Sequence, residues 1–150
     1  MSALSETAGP FLQVAVICQS ALREVDGSIS LVRIVERLNV QGNAPEMQPF
    51  PIQNLTLVVL IKSGVMSGKY KVTVTPYTPS GQSLPPLSIS ALFEGGERGV
   101  GIITPMALMA NEEGLYWFEV QVEEAVLTRI PLRVLYQRVP QIGTPQKPME

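Results

Sequence analysis

Apolar positions along this chain fall into short runs separated by glycine, proline and small polar residues. Phe11 to Leu22, FLQVAVICQSAL, is almost continuously apolar. A run of that kind predicts a central strand covered on both faces. Val25-Asp26-Gly27-Ser28 predicts a turn, because Asp and Gly tolerate positive φ. Ile29 to Val40 predicts a second strand whose alternation changes phase near Val32, the mark of a β-bulge. Gly42, Pro45, Pro49 and Pro51 make residues 41–53 an extended loop, since proline has no N–H for a ladder. Asn54 to Lys62 is again apolar, and Ser63 to Gly68 links it to the next strand.

From Lys69 to Tyr77 the pattern alternates: Tyr70, Val72 and Val74 inward, Lys69, Lys71, Thr73 and Thr75 outward. Pro79-Ser80-Gly81 is a turn. Leu87, Ile89, Ala91 and Phe93 alternate with Ser88, Ser90 and Glu94. The glycines from Gly95 to Gly99 predict a loop, followed by a short strand through Ile103. Residues 104–113 fit either one helical turn, capped by Thr104 and started by Pro105, or a crossover loop. Tyr116, Phe118, Val120 and Val122 alternate with Trp117, Glu119, Gln121 and Glu123; a turn at Glu124-Ala125 then leads into Val126 to Tyr136.

Seven to nine short strands with almost no helical periodicity predict an all-β sandwich. The expected domain spans residues 10–138, between a frayed start (1–9) and a flexible proline-containing tail (139–150). At 150 residues the chain suits one domain, and a domain of this size buries about 70% of its unfolded surface.

Charge and composition narrow the function. Only 16% of residues are charged, against about a quarter in typical domains, so part of the surface is expected to be covered by another subunit. The net charge of -2 argues against a nucleic-acid partner, which needs a basic face. No apolar run is long enough to cross a bilayer, and Glu6 with no basic cluster before Phe11 does not read as a signal peptide. The expectation is a cytoplasmic protein without a membrane partner. There is no histidine, which removes the commonest general base at neutral pH and the commonest zinc ligand. No catalytic residue, cofactor or metal is predicted.

Several features with chemical associations read better as structure. The glycines at 95, 96, 99 and 101 are followed by no helix, so they do not form a phosphate cradle. Glu112-Glu113 and Glu123-Glu124 are adjacent in sequence, so their side chains diverge in extended chain. Cys18, the only cysteine, has no basic neighbour within four residues and reads as a buried, inert thiol. Asn54-Leu55-Thr56 reads as a chance sequon without a secretion signal. Lys62, Lys69 and Lys71 suit solubility and edge protection.

The most specific stretch is Glu112-Glu113-Gly114-Leu115-Tyr116-Trp117-Phe118. It resembles the tyrosine corner of immunoglobulin-like sandwiches, with Tyr116 near the start of the penultimate strand and Gly114 two residues before it. Together with Arg129-Ile130-Pro131-Leu132-Arg133-Val134 and the opening Val25-Asp26-Gly27 followed by Ile29-Ser30-Leu31, it resembles an uncharacterised bacterial family of small immunoglobulin-like β-sandwich proteins. The turn Glu123-Glu124-Ala125 departs from that family's Asp-Gly turn. The resemblance spans residues 14–136 and implies an immunoglobulin-like antiparallel sandwich with no assigned activity.

The sequence therefore predicts a non-enzymatic interaction or structural module, a subunit of a larger assembly, with a protein partner or a homo-oligomer. Candidate contact residues are Met47 and Phe50 in the proline-rich loop, Met106 and Met109 before the corner, and Trp117. The alternative, a small-ligand or carbohydrate-binding sandwich, needs aromatics gathered on one face, and in the sequence they are scattered.

Overall fold

The computed structural model describes residues 9–139. The expected frayed start and tail therefore lie outside the described residues, apart from Gly9 and Val139. The described chain is all-β and contains no helix. Its seven strands are β1 (Phe11–Arg23), β2 (Ile29–Ile34), β3 (Arg37–Gly42), β4 (Phe50–Tyr77), β5 (Leu87–Ala110), β6 (Gly114–Val122) and β7 (Ala125–Arg138). They form one hydrogen-bonded network in the order β2-β1-β4-β6-β7-β3, with β5 on β4.

The architecture follows from the length of β4 and β5. Their ladder runs from Phe50↔Ala110 to Val74↔Leu87 and shifts register three times, between Ile52 and Leu55, between Lys62 and Gly64 and between Gly64 and Ser67. Before the last two shifts, β4 pairs with β1; after them, with β6. The long hairpin thus serves two layers. One is β2, β1 and the first halves of the β4 and β5 ladder; the other is the remaining halves with β6, β7 and β3. Gly64 opposes Gly96 at the bend, at φ 61° and 62°, a region costly for any residue with a Cβ. Ser63 staples the bend: its fully buried hydroxyl donates to the Arg98 carbonyl at 2.7 Å and accepts from the Glu94 N–H at 3.2 Å.

Inward side chains of both layers meet in one core. Ile17, Leu57 and Val59 from the first pack with Phe93, Tyr116, Val120 and Leu132 from the second. Each fully buried large side chain contributes about 1.5–3 kcal/mol relative to exposure. Tyr116 brings a polar atom into this core and satisfies it locally. Its hydroxyl donates to the Glu112 carbonyl at 2.7 Å and accepts from the Glu112 N–H at 3.3 Å. Burial pushes its pKa up, opposed by the bond to the Glu112 backbone. Gly114, at φ 133°, lies so close to Pro79 that a Cβ would meet the ring at 2.8 Å.

The structure corrects the expected elements at several places. Residues 29–40 form two strands, not one with a bulge at Val32. Arg33 takes φ 58°, and the chain leaves the first layer after Ile34 to enter the second at Arg37. There β3 pairs with β7 in parallel, so the sheet is not wholly antiparallel. The loop expected over 41–53 ends at Gln48-Pro49; Pro51 and Ile52 already pair with Met109 and Leu108. The link at 63–68 and the loop at 95–99 are the bent middle of one continuous ladder. Residues 104–110 are neither helical turn nor loop but strand. Pro105 is tolerated because this part of β5 is an edge, bonded only to β4.

Candidate functional site

The two layers turn very different outer faces away from the core. On the first, strand alternation sends Ile17, Leu57 and Val59 inward and their neighbours outward. Cross-strand registers assemble those neighbours into rows. Val14, Leu60 and Gly101 form one row, Val16, Val58 and Ile103 the next, and Ile34, Cys18, Thr56 and Pro105 a third. Beyond them Ser20 opposes Val32 and Leu22 opposes Ser30. No residue in these rows is charged. Val58 and Cys18 are fully buried yet stand outside the core cluster, shielded by the apolar neighbours around them. Leu22 and Ile34 are exposed at 51% and 57%.

Cys18 sits within this carpet. Its thiol donates to the Ser20 carbonyl at 3.4 Å, and burial pushes its pKa up, the bond to Ser20 working the other way.

The second layer's outer face is polar, with aromatic rings at one end. Tyr77 pairs with Trp117, which pairs with Pro131. The next row is Thr75, Glu119 and Arg129. Arg129 Nε donates to Glu119 Oε2 at 2.9 Å, the glutamate side chain 12% exposed and the arginine 60%. An open cleft of about 730 Å3 lies over these residues and is also lined by Thr78, Pro79 and Gly81 and by Val126 and Thr128.

The contact residues expected from the sequence scatter. Met106 is buried and packs in the core. Met47 is half-buried against the core. Phe50 and Met109 are exposed in adjacent rows of the β4–β5 ladder. Trp117 lies in the other layer, so the five do not form one surface. Tyr77, beside Trp117, went unnoticed because forty residues separate the pair in sequence. Its outward position after Thr75 was the available signal. Among the described residues no three metal-ligating side chains cluster, and no helix is long and apolar enough to cross a membrane.

Residues 13–135 match the model of a family of unknown function, DUF6941, and the chain belongs to that family. No curated protein matches the chain.

Proposed function

We propose that this member of a family without an assigned activity is a non-enzymatic interaction module. On this reading it is a cytoplasmic, immunoglobulin-like sandwich that works as one subunit of an assembly. The observation that carries the reading is the set of uncharged cross-strand rows on the outer face of the first layer, bordered by Lys62 in the row of Phe11 and Gly99. The apolar run of β1 is the pattern of a strand covered on both faces. The core covers one face; Val14, Val16 and Cys18 line the other. Around the fully buried Val58 and Cys18, this face leaves Leu22, Val32 and Ile34 exposed together, and contiguous exposed apolar side chains mark interaction surfaces.

The occupant is a second copy of this chain. Rows without charge carry no like-charge repulsion against themselves, so they suit the isologous contact of a twofold dimer, with Lys62 at the border. Two such faces pack as aligned sheets do, about 10 Å apart. Light scattering over a concentration series tests this. The expected mass is twice that of the chain, falling to the single-chain mass for Ile34→Glu, which adds charge at an exposed site of the face. A wild-type particle that stays at single-chain mass at the highest concentration overturns the second copy as occupant.

A further inference from the structure

We propose that the outer face of the second layer is a glycan-binding site, with Trp117 as the platform for one neutral sugar ring and the Glu119–Arg129 pair as its hydroxyl clamp. Tyr77 and Trp117 are cross-strand partners, so two aromatic side chains stand together on a rigid sheet floor. The faces of sugar rings carry C–H groups that pack on aromatic surface, while their rims carry hydroxyls. The row holding Glu119 lies two residues along the strands, about 7 Å away. That is the distance at which groups beside the platform meet the rim of a stacked six-membered ring.

The clamp has the right chemistry. Glu119 supplies acceptors, and Arg129 supplies donors beyond the one spent on Glu119. Vicinal hydroxyls need both at once. The pair is mutually neutralising, which selects a neutral ligand over an anionic one. The volume of about 730 Å3 falls within the range of small-molecule sites, roughly 300–1,000 Å3, and the open side leaves room for a chain to continue. A proline-rich peptide would need aromatic ridges along its length. Here aromatics occupy one end and hydrogen-bonding side chains the rest.

Trp117 is the only tryptophan, so its emission reports this site alone. The full chain is titrated with neutral oligosaccharides of glucose, mannose, galactose, xylose and N-acetylglucosamine. At least one is expected to give a saturable change in emission. Calorimetry with that sugar is expected to show binding weakened about tenfold or more in Glu119→Gln and lost in Trp117→Ala. Should Trp117→Ala fail to fold, Glu119→Gln still carries the test, because it leaves the core untouched. No saturable change with any sugar at millimolar concentration overturns the proposal. So does binding indifferent to Glu119→Gln, or saturation by a proline-rich peptide alone.

Discussion

Tyr116 shows how a single polar atom is made compatible with a core. The ring is fully buried, and its hydroxyl both donates to and accepts from the backbone of Glu112, four residues upstream. Tyr116→Phe keeps the ring and removes both bonds, leaving the Glu112 carbonyl and N–H without this partner. A loss of about 1–2 kcal/mol is expected, read as a lower denaturant midpoint with unchanged slope. The same residue sets a pH dependence. Its pKa is raised in the folded chain, so the neutral form is the one the fold favours. The stabilisation is fully present below the unfolded tyrosine value of about 10 and is lost as pH climbs through the folded value. Tyr116→Phe should therefore flatten part of the alkaline fall in stability. Urea titrations at rising pH measure this.

At the scale of elements, what could be read in advance depended on local signals. The alternations in Lys69–Tyr77 and Leu115–Glu123 report directly which side chains face the core, and the structure has them so. The segments misread share one cause: their conformation is set by neighbours distant in sequence. Gly95 to Gly99 carry the composition of a loop but are paired across the bend with β4. Pro105 looks like a helix start or loop until it is known to lie on a sheet edge. The phase change near Val32 was visible, but only the partners of β3 reveal it as a crossing between layers. The two outer faces were legible as residue types and not as surfaces, because each is assembled from three or more strands. The bend itself hangs on Ser63. Ser63→Ala removes a buried hydroxyl serving two backbone groups, at an expected cost of about 1–3 kcal/mol. Hydrogen exchange should then rise first at Glu94, whose N–H donates to that hydroxyl, rather than across the β6–β7 hairpin.

The whole molecule is a sandwich whose two exteriors have opposite chemistry, and this makes the two proposed contacts separable. Folding is linked to association if the first layer's outer face is covered by a second copy, since only the folded chain presents that face. The midpoint of thermal unfolding should then rise with protein concentration. Ile34→Glu should abolish that dependence while leaving the midpoint of the dilute protein nearly unchanged, because Ile34 is more than half exposed. The variant should leave the emission of Trp117 unaltered, since Trp117 belongs to the other layer. Glu119→Gln should behave in the reverse way, keeping the concentration dependence intact. A wild-type midpoint that does not move over a hundredfold range of concentration would remove the second copy as the cover of the apolar face. It would leave the aromatic cleft to be judged on its own titration. Should both variants change both readouts, the layers are coupled through the core, and the bend at Gly64 and Gly96, which joins them, is where that coupling would run.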